Sequence, residues 1–292
     1  MRFFSAGLLG MLGAAGALTG CGGATEAAGG GIVSLGPHLT EAIFAMGEGH
    51  RLVGRGDYDD YPAEVLELES VGGYLDPNLE RIALLQPELI VLPGEHRKVA
   101  EFAQLNVIPA LPVHMDSFAT IEAGITELGG ALGVPDKADA LNRKMQAQSE
   151  ALRARLAGVQ RPRVLIVTQR DSADLSTIYT AGGPSFVSEM VALAGGENIF
   201  ADTDQAYFAA SKESVVTAAP EIILEFHAGQ SMTERQRQRY IDDWQALREL
   251  PAVTNYRVYL VEESFALRPG PRVVDMAERI ARRLHPDLEW GP

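Results

Sequence analysis

The chain of 292 residues has a single cysteine, Cys21, and that scarcity removes two kinds of chemistry. A disulfide needs a second thiol, and the place of Cys21 at the end of an apolar leader already accounts for it without a catalytic role. Positive charge is also short. With 25 Lys and Arg against 39 Asp and Glu, the formal net charge is −14, which repels phosphate backbones. No Lys/Arg cluster interleaved with aromatics offsets that balance, so nucleic acid is excluded as a partner. The chain contains no G-x-S-x-G, no H-E-x-x-H and no glycine-rich phosphate loop, and thus lacks the signatures of serine hydrolases, zinc proteases and nucleotide-dependent enzymes.

What is present begins with an address. Residues 1–21 carry one Arg, an apolar run too short and small for a membrane span, and then Leu18-Thr19-Gly20-Cys21. This reads as an export signal ending in a lipobox, with the Cys21 thiol as the atom that takes the lipid. Residues 22–31, GGATEAAGGG, have no apolar side chain larger than alanine and read as a flexible tether. Gly22 offers no retention signal, so the expected location is a lipid anchor either in a periplasm or on the outer face of a cell membrane.

Beyond the tether, short β-rich runs alternate with helical ones, which is an α/β pattern with buried strands. One stretch divides the chain. From Val134 to Arg161, Leu141, Met145, Leu152 and Leu156 recur at helical spacing among charged residues, with Pro135 and Asp136 suited to the first turn and Gly158 and Pro162 to the far end. The predicted layout is therefore a lobe over 32–133, a linking helix over 134–161 and a second lobe over 162–288. The lobes share a phrase: residues 80–90 read ERIALLQPELI and residues 213–223 read ESVVTAAPEII, with Glu, Pro, Glu and Ile at the same offsets. Each reads as a short helix stopped by proline and followed by a buried strand, and the pair suggests a duplication.

Ligands of α/β sheets sit beyond the carboxyl ends of the strands. The loops expected there are rich in tyrosine, as a cleft for a large flat ligand needs.

Several stretches carry a family resemblance: IVSLGPHLTEAIFAMG (32–47), VGRGDYDDYP (53–62), VGGYLDPNLERIALLQPELIVL (71–92), YTAGG (179–183), LAGGENIF (193–200) and SKESVVTAAPEII (211–223). Together they resemble the substrate-binding proteins of ABC importers for vitamin B12, haem and ferric siderophores. The resemblance implies two similar Rossmann-like lobes joined by one long helix, with the ligand cleft between them. It implies ligand contacts at Tyr58, Tyr74, Tyr179, Tyr207 and Arg268, and docking onto a permease dimer with its ATPase subunits through Glu80 and Glu213. Pro93 stands where B12-binding members have a tryptophan, and the choice among cobalamin, haem and ferric siderophore stays open. The expected protein is a monomer that carries out no reaction and has no resident cofactor.

Two other readings compete. His38, His96 and His227 each follow a predicted strand, and an exported metal-binding protein or metalloenzyme would bring them together, with Asp57 or Asp59 beside them. Their spacing matches no compact zinc motif. The third reading is a lipoprotein that only senses or scaffolds.

Overall fold

The computed structural model describes residues 30–172 and 175–291. The export signal, Cys21 and the tether up to residue 29 lie outside them. The last two residues expected in the tether do not belong to it. Gly31 accepts a hydrogen bond from the Glu88 amide at 2.9 Å, and a Cβ on Gly30 would stand 2.2 Å from the Gln86 carbonyl oxygen. Glycine is needed here for close packing against the first lobe, whereas sequence alone reads it as flexibility.

The first lobe comprises β1 (Ile32–Ser34), α1 (Pro37–Ala45), β2 (Leu52–Arg55), β3 (Glu69–Ser70), α2 (Leu79–Leu85), β4 (Leu89–Pro93), α3 (Arg97–Asn106), β5 (Ala110–Val113) and α4 (Phe118–Ala131). Its five strands are all parallel in the order β3-β2-β1-β4-β5. The order reverses between β1 and β4, and a crevice opens at that switch point.

The linking helix is α5, Pro135–Arg155, shorter at its end than the 134–161 expected. Gly133 and Gly158, both at positive φ, mark the chain's entry and exit. Ala138, Leu141, Met145, Ser149 and Leu152 form its buried stripe. It lies close against α4, because a Cβ at Gly129 would stand 2.3 Å from that of Ala138.

The second lobe follows with β6 (Arg163–Gln169), β7 (Ile178–Ala181), α6 (Phe186–Leu193), β8 (Glu197–Asn198), β9 (Tyr207–Ala210), α7 (Lys212–Ala218), β10 (Ile222–Phe226), α8 (Glu234–Asp243), α9 (Pro251–Thr254), β11 (Val258–Val261) and α10 (Val273–Leu284). The strand order is β11-β10-β6-β7-β9, with β8 also paired to β6. Strands β11, β10 and β6 are parallel, whereas β7 runs antiparallel to both β6 and β9.

One apolar core joins the lobes. It runs from Ile32, Leu39 and Ile43 through Leu128, Leu141 and Met145 to Ile166, Val187, Met276 and Ile280. Smaller clusters cover the outer face of each sheet, around Ile82 and Ile90 in the first lobe and Leu165, Ile223 and Trp244 in the second. The lobes are therefore halves of one packed body rather than two bodies on a strap. Among the described residues no helix is long and apolar enough to cross a membrane.

Candidate functional site: the cleft between the lobes

Residues after β1, β2, β3 and β4 form a recess of about 290 Å³ lined by Leu35, Pro37, Tyr58, Asp59, Tyr74 and Pro93, among others. Tyr58 is 74% exposed and so presents its ring to the cleft with almost nothing covering it. Tyr74 is held instead. Its hydroxyl donates to the Glu95 carbonyl oxygen at 3.0 Å, and its ring meets that of His96 edge-on at 5.1 Å.

Tyr179 and Tyr207 come from the second lobe. Sequence places them on loops, but they stand on β7 and β9, where Tyr179 pairs with Ala209 and Ala181 with Tyr207. Cross-strand partners share a face, so both tyrosines project from the same side of the ribbon, and both are about half exposed. Burial, together with the Asp116 carboxylate of the first lobe, pushes the Tyr207 hydroxyl up to about 12. That hydroxyl stays a hydrogen-bond donor at any physiological pH.

Arg268 also reaches across, yet its guanidinium is already engaged. Nη1 donates to Glu41 at 3.1 Å and to Asp60 at 2.5 Å, and Nη2 donates to the Tyr58 carbonyl oxygen at 3.1 Å. Burial opposes ionisation of Asp60, but the Arg268 guanidinium outweighs it and holds the carboxyl below the usual range. Arg272 adds a two-pronged contact to Glu41 through Nε and Nη2, with its guanidinium 4.0 Å from the Tyr61 ring centroid and 4.1 Å from that of Phe265. Glu41 is 3% exposed, so this first-lobe carboxylate is buried under two second-lobe arginines. Sequence reasoning missed this latch. Its signal was an acid inside the apolar helix α1. Tyr61 and Pro62 line a different cavity of about 610 Å³, between α1, α5 and α10.

The histidines do not meet. His96 caps α3, its Nδ1 accepting from the Val99 amide at 3.3 Å. His227 lies in the second lobe with Nε2 2.9 Å from Glu225 and Nδ1 3.3 Å from Gln230, its ring against Tyr240. Burial lowers His38 to about 4, aided by Arg268. The expectation that they share a metal is corrected by this placement, since helix cap, hydrogen bond to Glu225 and burial are three separate local roles. Among the described residues no group of three or more His, Cys, Asp or Glu is placed to hold a metal ion.

Asp59 is nearly sealed in the floor of the recess. Its Oδ2 takes the Thr40 hydroxyl and the Gly56 amide, while Oδ1 has no partner. Burial raises its carboxyl to about 6 against those hydrogen bonds.

Glu80 and Glu213 stand elsewhere and in equivalent settings. Each occupies the second position of a seven-residue helix whose N-cap side chain accepts an amide, Asn78 in one case and Ser211 in the other. Both are exposed, and neither enters an ion pair or side-chain hydrogen bond among the described residues.

A recess beyond the carboxyl ends of the first lobe's strands, in a body of two lobes on a shared core, is the setting in which an α/β protein holds a small ligand. The chain belongs to the periplasmic binding protein family, whose model matches residues 32–264. It is 30% identical over 248 residues to the vitamin B12-binding protein of Vibrio parahaemolyticus, covering 84% of this chain and 85% of that one. It is 29% identical over 261 residues to an uncharacterized ABC transporter substrate-binding lipoprotein of Bacillus subtilis, with 88% and 80% covered. The crystal structure of the periplasmic vitamin B12-binding protein of Vibrio cholerae superposes with a TM-score of 0.71 at 29% identity, over 87% of this chain and 96% of that chain. The family and these relatives are binding proteins that serve transport, not enzymes.

Proposed function

We propose that this chain is the extracytoplasmic substrate-binding lipoprotein of an ABC importer, capturing a flat metal chelate of the cobalamin, haem or ferric-siderophore type. Support for this reading comes from Tyr58 and Tyr74 in the first-lobe recess and from Tyr179 and Tyr207, half exposed on one side of the second-lobe ribbon, which we take as its two walls. Aromatic faces hold a large conjugated ligand at little conformational cost. Arg268 acts from this wall as the fastening of the Tyr58 loop. The relatives that bind vitamin B12 support the same class of ligand.

Delivery requires a partner. A permease dimer, with its ATPase subunits, has two equivalent surfaces, and a monomer with Glu80 on one lobe and Glu213 on the other offers one carboxylate to each. Cys21 takes the lipid that keeps the protein at the membrane, and Cys21→Ser should release a folded protein into the soluble fraction. The test of the whole reading is titration of the purified protein with cobalamin, haem and ferric chelates, followed by visible absorbance and heat of binding. Saturable binding of one of them is expected. No binding of any would overturn the reading.

A further inference from the structure

Which ligands the cleft admits is a question of charge, and the answer rests on the reading of the cleft as the ligand site. The recess is lined by Asp57, Asp59 and Asp76 and by no Lys, Arg or His. Asp57 and Asp76 are exposed, and Asp59 is 1% exposed with Oδ1 lacking any partner. Asp116, exposed on the first lobe between β5 and α4, adds a further negative charge beside Tyr207 of the second.

Only a nearby cation would offset these carboxylates. Arg268 is the natural choice, and its charge is already neutralised by Asp60 and Glu41, with a third N–H given to the Tyr58 carbonyl oxygen. Arg272 is turned to the same Glu41 through Nε and Nη2 and is stacked between Tyr61 and Phe265, away from the recess lining. The chain as a whole carries a formal −14, so the longer-range field has the same sign as the cleft.

A carboxylate on the ligand would enter among like charges with no guanidinium or ammonium to receive it. Near a protein surface, two like charges about 8 Å apart repel enough to change affinity more than about tenfold. An amide in the same place has no charge to repel and brings N–H donors toward the aspartates, where hydrogen bonds to an ionised acceptor are the strong kind. We infer that the cleft admits chelates whose periphery is neutral or cationic and rich in hydrogen-bond donors, and rejects those that carry peripheral carboxylates.

Matched pairs of ligands test this while holding ring and metal constant. One pair is dicyanocobinamide, with amide arms, against dicyanocobyrinic acid, with carboxylate arms; the other is haemin diamide against haemin. Each is titrated by visible absorbance into the whole protein at low and at high ionic strength. In the pair whose ring fits, the amide form is expected to bind at least about tenfold more tightly at low salt, with the gap shrinking as salt screens the charges. The variant D57N/D76N, changed only at exposed positions, should narrow that gap by about threefold or more. Equal binding of amide and acid, tighter binding of the acid, or a gap unchanged in D57N/D76N would overturn the inference and leave the cleft reading standing. Failure of all four compounds to bind would overturn the inference, and failure of ferric siderophores as well would remove the cleft reading with it.

Discussion

The two lobes are alike at one end and different along the cleft. Helices α2 and α7 have the same length, the same kind of side-chain N-cap and the same ending, a left-handed residue before a proline, Gln86 at φ 47° and Ala219 at φ 45°. The cleft walls share none of this. The first lobe presents an acidic recess formed after four of its parallel strands, and the second presents two tyrosines on an antiparallel ribbon. A surface that meets two equal permease subunits gains from being repeated. A cleft that grips two different sides of one ligand gains from unlike walls.

The sharpest way to break that comparison is to remove the repeated part. Glu80→Ala with Glu213→Ala should leave chelate affinity unchanged and cut uptake by more than about thirtyfold, since truncating one partner of an interfacial charge pair costs roughly 2–5 kcal/mol. Each single variant should produce a similar partial loss. Uptake at the wild-type rate under limiting protein would remove the docking role.

Next in size is the latch that holds the unlike walls in register. Glu41→Ala leaves Arg268 and Arg272 without their shared buried carboxylate, and breaking such a pair costs about 3–5 kcal/mol. Urea unfolding measures it. A loss under about 1 kcal/mol, as for an exposed pair, would show that the latch holds nothing.

Much of this frame is legible in the sequence. The long helix announces itself by Pro135, the stripe at Leu141, Met145 and Leu152, and Gly158, and the repeated phrase around Pro87 and Pro220 locates two helix–strand units. Other parts are not legible, for physical reasons. The strands β7 and β9 are four residues each, too short for alternation to show, and they are paired by the sheet rather than by their own propensity. The β-branched run from Val107 does not begin a strand, because Val107 takes the left-handed cap of α3 and β5 starts only at Ala110. The histidines looked like candidates because they follow strands. Their roles as cap, hydrogen-bond partner of Glu225 and buried side chain are set by local geometry and packing that strand position alone does not reveal. Arg268 is visible as a cleft residue while its partners Glu41 and Asp60, over two hundred positions away, are not.

A smaller effect isolates the first lobe. His38, lowered by burial to about 4, stabilises the fold above its ordinary value of 6.5, and that stability is lost as pH falls from 6.5 toward 4. Asp59, raised by burial to about 6 from 3.8, acts oppositely: its contribution is present below 3.8 and is lost as pH rises through about 6. Between these limits the folded protein holds a proton on Asp59 and the unfolded chain holds one on His38, so the two slopes cancel. Asp59→Asn should therefore make stability rise from pH 4 to 6.5, and His38→Gln should make it fall from pH 4 to 6, each by at most about 1.4 kcal/mol per pH unit. Slopes of the same sign in the two variants, measured by urea unfolding across that range, would contradict the opposed burial of the two groups.

The most direct test asks whether one ligand is held by both unlike walls. Binding of the best chelate is titrated by absorbance with wild type, Tyr58→Ala and Tyr207→Ala, one variant from each lobe. Loss of a stacked aromatic face costs roughly 1–3 kcal/mol, so each variant should weaken binding by about fivefold or more while leaving urea stability near wild type. Weakening by one variant alone would place the ligand on a single lobe, and no weakening by either would contradict a cleft built from the two tyrosine walls.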